Sequence, residues 1–185
     1  MTKLITIDWD DTIYNLKAVN EMFLLEEYGI HNGYKTVTSF DSLGLNFPAI
    51  IPKVWDNPDY YSRGDLLDGA IEFYNNLVSL VGENKIQIVT ASMTGVIKVK
   101  DEMIRDRYKI NCDVIHSVGP KSQYTKGTIL VDDYIGNILS HQRVNNGIGL
   151  LYNHHRLPYI RNNSNAIDTY FERYRDMYRY IYQQV

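Results

Sequence analysis

Apolar positions along the chain fall into two rhythms. Short, nearly continuous runs at Leu4–Asp8, Ile86–Thr90, Cys112–His116, Thr128–Asp132 and Ile148–Tyr152 read as buried strands. Between the later runs, apolar residues recur at helical spacing. Leu67, Ala70, Ile71, Tyr74, Leu77, Val78 and Val81 form one stripe, and Val96, Val99, Met103 and Ile104 a second. Ile135–Val144 is a shorter candidate helix. Strands alternating with helices predict an α/β protein with a Rossmann-like three-layer fold, a central parallel sheet of about five strands covered by helices on both faces. At the end of the chain, Asp168–Gln183 predicts a helix that docks Tyr170, Tyr174, Met177, Tyr178 and Ile181 on the sheet.

Residues 14–65 break this alternation. Asn15–Tyr28 has a helical pattern, with Val19, Met22, Phe23 and Leu25 as its expected buried side. Gly29 to Arg63 is rich in turn residues and in aromatics, among them Tyr34, Phe40, Phe47, Trp55, Tyr60 and Tyr61. Long insertions of this kind form functional lids or small separate elements. The expected organisation is a core of residues 1–13 and 66–185 with a small, mainly helical cap, residues 14–65, inserted after the first strand. Such an insertion would stand above the strand's C-terminal end.

Bulk properties narrow the classes of function. A chain of 185 residues can bury one sizeable core. Its net charge is −3 with lysines and arginines scattered, which argues against binding an extended nucleic acid. Cys112 stands alone, so no internal disulfide framework forms. The first apolar run is too short for a leader and ends in Asp, and no run reaches membrane-spanning length. These features predict a soluble, cytoplasmic protein; they leave its oligomeric state, monomer or homodimer, open. The 16 tyrosines carry no specific functional reading.

The chemistry concentrates at strand ends. Leu4–Ile7 runs into Asp8-Trp9-Asp10-Asp11-Thr12, and in open α/β sheets the C-terminal strand end is where ligands bind. Carboxylates this close repel, and a divalent cation offsets them; one Asp can then act as nucleophile and the other as acid and base. Taken alone, the same residues suit a turn or a helix cap. The run at 128–132 also ends in paired carboxylates, Asp132-Asp133. The run at 86–90 ends in Thr90-Ala91-Ser92, where a hydroxyl and free backbone N–H groups suit a phosphoryl oxygen or, equally, a helix cap. Lys121 and Lys126 precede the second acidic strand; Lys121, just after Gly119-Pro120, is the preferred partner for a phosphate. His154-His155 reads as a pair of loop histidines, since neighbours in an extended segment point to opposite sides.

In order and spacing, Asp8-Trp9-Asp10-Asp11-Thr12, Thr90, Lys121 (or Lys126) and Asp132-Asp133 resemble the motifs of the haloacid dehalogenase-like phosphatases, over nearly the whole chain. Within them the chain most resembles the 5'(3')-deoxyribonucleotidase group. Val37-Thr38-Ser39-Phe40-Asp41 is similar to an element of that group's cap, and Trp55–Tyr61 through Leu67–Ala70 to its return into the core. Tyr134-Ile135 departs from the residues that usually follow the last motif there. The resemblance implies a magnesium-dependent phosphomonoesterase for a nucleoside monophosphate, the alternative being another small phosphate ester or a polynucleotide end. Asp8 is then the nucleophile and Asp10 the acid and base. Mg2+ is held by Asp8, the Asp10 backbone carbonyl and Asp133, with Asp132 orienting Lys121 and a water on the metal. Thr90, Ala91, Ser92 and Lys121 bind the phosphate. From the insertion's place in the chain, and not from the resemblance, the set Phe40, Phe47, Trp55 and Tyr61 is expected to enclose a base and Arg63 to meet a second charge; the alternative is that these aromatics pack the cap's own small core. A non-catalytic binding protein of the same fold is the reading from another class.

Overall fold

Ile5, Ile7, Ile129, Leu130, Val131, Leu150 and Leu151 are sealed from solvent, which is why their segments pair as central strands rather than coil into helices. The structure, a computed structural model, describes residues 4–31, 44–155 and 169–185. By internal packing the chain divides into two compact units, Met1–Tyr14, Leu66–Ala91 and Ile110–Val185 in the first, and Asn15–Asp65 with Ser92–Lys109 in the second.

The first unit is built on a parallel sheet. Its strands are β1 (Leu4–Ile7), β2 (Ile86–Ala91), β3 (Asp113–Ser117), β4 (Thr128–Asp132), β5 (Ile148–Tyr152) and β6 (Tyr170–Phe171). Among the described residues the order is β3-β2-β1-β4-β5-β6, six strands where the apolar runs predict about five. Ile7 pairs with Ile88 on one side and Val131 on the other, so β1 is central and the chain reverses its direction of winding between β1 and β4. Crevices for ligands form at such switch points. β4 is buried at every position, whereas the edge strand β3 carries the polar Asp113 and His116.

The C-terminal helix differs from the expectation. Tyr170 belongs to β6, not to the C-terminal helix, because Leu151 and Tyr152 offer an open strand edge and the pairing takes Tyr170 and Phe171. The helix itself covers Tyr174–Tyr182 and buries Tyr174, Met177 and Ile181.

The second unit begins with α1 (Leu16–Tyr28), α2 (Phe47–Val54) and α3 (Pro58–Tyr61). Asn15 caps α1 through its side chain, accepting from the Ala18 N–H at 3.0 Å, and Gly29 ends it in a left-handed conformation at φ 65°. Its buried residues are Val19, Asn20, Phe23 and Leu24; Leu25, expected inside, is 41% exposed. The buried face turns toward Asn20 because that amide oxygen accepts from Trp55 Nε1 at 2.7 Å. The helix α4 (Ala70–Val81) belongs to the first unit, and the short α5 (Ile97–Glu102) to the second. Residues 92–109, read from the sequence as core, thus pack within the second unit. Arg107 donates to the carbonyls of Ser62 and Gly64, and the Tyr108 hydroxyl to Asp65 at 2.8 Å. The remaining helices, α6 (Ile135–Asn145) and α7 (Tyr174–Tyr182), lie in the first unit.

Candidate active site

β1 ends one residue before Asp8, and the backbone then turns within four residues. Ile13 and Tyr14 both donate to the Trp9 carbonyl, at 2.9 and 2.8 Å, and Asp11 donates to the Tyr14 carbonyl at 2.7 Å. Asp11 takes the left-handed conformation, φ 54°, which Asp tolerates better than most residues. The Trp9 ring is fully buried and stacks on Tyr14 at 5.8 Å. With Trp9 committed to the interior, its neighbours Asp8 and Asp10 are left at the strand end. The Tyr174 hydroxyl of α7 donates to the Thr12 carbonyl and ties this turn to the far end of the chain.

Lys121 brings the strand ends together. Its ammonium lies 2.5 Å from Asp8 Oδ1 and 2.9 Å from Asp132 Oδ2, and it is 6% exposed. Asp132 is saturated: besides Lys121, its oxygens accept from the Tyr134 N–H at 2.9 Å and from Asn137 Nδ2 at 3.1 and 3.0 Å. Asp8 Oδ1 also accepts from the Trp9 N–H at 2.7 Å, which leaves Oδ2 without a hydrogen bond among the described residues. Among the described residues the Asp133 carboxylate likewise accepts none. Carboxylate oxygens of Asp8, Asp132 and Asp133 all lie within 4.8 Å of one another. Thr90, at the end of β2, places its hydroxyl 3.3 Å from Asp10 Oδ2. Asp10 remains partly open to solvent.

One ammonium does not neutralise this group. Burial, with help from Asp132 and Asp10 and against Lys121, pushes the Asp8 carboxyl up to about 7. Burial and then Asp132, Asp8 and Asp11 hold Asp133 well above the usual carboxylate range, again against Lys121. Three clustered carboxylates, of which Asp8 and Asp133 are reluctant to ionise and have oxygen to spare, fit a hard divalent cation that takes oxygen ligands.

The charge excess has a consequence for stability. Between the ordinary Asp value and about pH 7, the folded state keeps a proton on Asp8 that the unfolded chain has released. Metal-free protein is therefore expected to lose stability as pH rises through that window, by up to about 1.4 kcal/mol per pH unit for the one proton. If the cluster holds magnesium, the ion is expected to raise the unfolding temperature more at about pH 8 than at about pH 5, since a cation would bind the ionised carboxylates. Scanning calorimetry in EDTA and in magnesium checks both; an equal magnesium effect at the two pH values counts against the cluster as the metal site.

The other sequence candidates fall in different places. Lys126 is exposed on the loop before β4, so Lys121 is the lysine at the carboxylates. Ala91 ends β2 and Ser92 opens a segment of the second unit. Arg63 lies in the second unit, paired with Glu26 through its two terminal guanidinium nitrogens, and its ring neighbour is Tyr60 at 5.3 Å. Tyr61 is 1% exposed with the Lys100 ammonium 5.1 Å from its ring, and Trp55 donates to Asn20, so both aromatics hold their own unit together. Phe40 lies outside the described residues. A Tyr61→Ala change is expected to cost about 3–5 kcal/mol in a urea titration, as large buried aromatics do.

Two residues near the site were not picked out. His155 Nε2 approaches Asp11 Oδ1 at 3.4 Å, although the pair His154-His155 reads as loop. Asn137 holds both oxygens of Asp132; its signal is an amide one helical turn after a strand-end carboxylate. A cleft of about 580 Å³ in the same unit is lined by residues including Asp68, Glu72, Tyr152, His154, Arg173 and Tyr178, and by none of the cluster.

No family model and no curated protein matches the sequence. Among solved structures, the chain is similar to a protein from Lactobacillus delbrueckii subsp. bulgaricus described as a "putative phosphoglycolate phosphatase". The match has a TM-score of 0.62 at 11% identity and covers 97% of this chain and 98% of that one. At that identity the likeness speaks for the fold, and the Rossmann-like α/β fold predicted from the strand and helix rhythm is the fold observed. No helix among the described residues is long and apolar enough to cross a membrane.

Proposed function

We propose that the chain is a magnesium-dependent phosphomonoesterase. The observation that carries this reading is the Lys121 ammonium shared by Asp8 and Asp132 at adjacent strand ends, with Asp133 unbonded beside them. Asp8, the Asp10 carbonyl and Asp133 would hold the ion. Bound there, magnesium would neutralise the excess charge and draw a phosphoryl oxygen toward Asp8.

Asp8 Oδ2 attacks phosphorus in line, the P–O bond to the leaving group breaks, and an acyl phosphate forms on Asp8. Asp10 gives its proton to the leaving oxygen and then takes one from the water that hydrolyses the acyl phosphate, which restores both carboxyls. Lys121 and the Thr90 hydroxyl hold the equatorial phosphoryl oxygens, whose charge redistributes in the transition state. Asp132 orients Lys121.

For the substrate, the Val37–Asp41 and Trp55–Ala70 sequences favour a nucleoside monophosphate. The second reading is another small phosphate ester, such as phosphoglycolate, favoured by the name of the structural neighbour. A screen of nucleoside monophosphates, sugar phosphates and phosphoglycolate with magnesium, repeated in EDTA, tests both levels. Activity unaffected by EDTA would remove the metal from the reading. Asp133→Ala is expected to lower kcat at least about a hundredfold in low magnesium, with partial recovery at high magnesium. Full activity of that variant at low magnesium would exclude Asp133 as the ligand.

A further inference from the structure

α6 carries a polar stripe that faces inward. Asn137, Ser140, His141 and Asn145 recur at helical spacing, and His141 is fully buried. A helix covering a sheet ordinarily turns apolar residues that way. Each of these polar groups has a specific partner.

At the N-terminal end, Asn137 donates to both oxygens of Asp132, and the Tyr134 N–H before the helix donates to the same carboxylate. At the C-terminal end, the stripe grips the turn that carries Lys121. Asn145 Nδ2 donates to the Ser122 carbonyl at 2.8 Å and to Thr125 Oγ1 at 3.2 Å. Ser140 Oγ donates to Ser122 Oγ at 3.1 Å. His141 Nε2 lies 3.2 Å from the Thr128 carbonyl, and its Nδ1 2.8 Å from Thr125 Oγ1. A carbonyl can only accept, so Nε2 carries the proton and Nδ1 accepts from Thr125. Gly147 leaves the room this requires, since a Cβ there would collide with the His141 ring.

We propose that α6 is a positioning brace for the site: Asn137 fixes Asp132, while Ser140, His141 and Asn145 fix the 121–125 turn, so that one rigid helix sets Lys121 and Asp132 relative to each other. None of the four stripe residues need touch substrate. The brace explains why part of the buried face of α6, beside the apolar Ile138, is polar, and why its bonds go to both partners of the Lys121–Asp132 pair: Asp132 itself and the 121–128 segment that carries Lys121. It rests on the reading of Lys121 as the group that holds the phosphoryl oxygens, and deepens it.

The test uses the full chain with its lysines labelled with 15N, and p-nitrophenyl phosphate with magnesium as substrate. Lys100, buried in the second unit at 2% exposure, is an internal reference for Lys121. Asn145→Ala is expected to speed hydrogen exchange of the Lys121 ammonium at least about tenfold relative to that of Lys100, as the turn opens locally. It is also expected to lower kcat about ten- to a hundredfold, the scale of a small misplacement of a catalytic group, with a smaller change in KM. Ser140→Ala, which removes one hydroxyl, should move both readouts the same way by less and serves if Asn145→Ala does not fold. Val144→Ala, on the exposed side of α6 at 64% exposure, should move neither. If the exchange ratio and kcat stay at wild-type values in Asn145→Ala and Ser140→Ala while the unfolding temperature falls, the stripe is structural only and the brace is wrong. If the wild type hydrolyses no phosphate ester, the phosphatase reading fails by itself, and the exchange ratio still decides for or against the brace.

Discussion

Asp8→Asn is expected to give a folded protein that turns over less than about a thousandth as fast as wild type. The amide offers no anionic oxygen to attack phosphorus and brings no charge to a cation. In the wild type, Oδ1 is held by Lys121 and the Trp9 N–H, so the unbonded Oδ2 is the oxygen that the change removes or neutralises. Stability should not suffer much. Burial pushes the Asp8 carboxyl up to about 7, so at neutral pH a neutral side chain is nearly as welcome as the acid. Lys121 keeps Asp132 at 2.9 Å. The expected pattern is an unchanged or slightly raised unfolding temperature in EDTA, a smaller rise on adding magnesium, and no acyl phosphate trapped on acid quenching. A variant that keeps more than about a thousandth of the rate would transfer the nucleophile's role elsewhere.

What the sequence made legible divides along a physical line. β1, β2, β4 and β5 were readable because strands buried on both faces must be apolar throughout. Their ends were readable because a carboxylate after such a run is conspicuous, and the sheet then juxtaposes Asp8, Thr90 and Asp132 through the β2-β1-β4 order. β6 was not readable. Tyr170, Tyr174 and Tyr178 are spaced like one helical face, and only the open edge of β5 draws Tyr170 into a strand. The burial of Asn20 instead of Leu25 on α1 escaped for a related reason. An amide pays its desolvation only through a partner, here Trp55, that lies thirty-five positions away.

The same limit hid the polar stripe of α6. Pattern reading assigns Asn137, Ser140, His141 and Asn145 to solvent, because polarity is taken as exposure. Inside the structure they are satisfied by the Asp132 carboxylate and the 121–128 segment, which come beside α6 only once β4 has joined the sheet. The choice between Lys121 and Lys126 belongs here too. Both precede β4 by a few residues, and spacing alone ranks them weakly. The turn at 121–123 buries the first and leaves the second exposed.

That choice yields the other large effect. Lys121→Met keeps the length and apolar stem of the side chain but removes the cation that Asp8 and Asp132 share. Removing one partner of a buried ionic group typically costs about 3–5 kcal/mol, because the remaining charges stay buried and unpaired. The loss should be greatest near neutral pH in EDTA, where the carboxylates are pressed to ionise. It should shrink toward about pH 5, where Asp8, already lifted by burial to about 7, takes up a proton. Added magnesium should restore part of the stability and little of the rate, since the ion can replace the lost charge but not the donor aimed at a phosphoryl oxygen. Lys126→Met, at an exposed loop position, should change stability by no more than about 0.5 kcal/mol and leave kcat within about twofold. Urea titrations and kcat for the two variants decide the matter. If Lys126→Met loses the activity and Lys121→Met keeps it, the phosphate-holding lysine is the loop residue, and the buried pair at the strand ends serves only the fold.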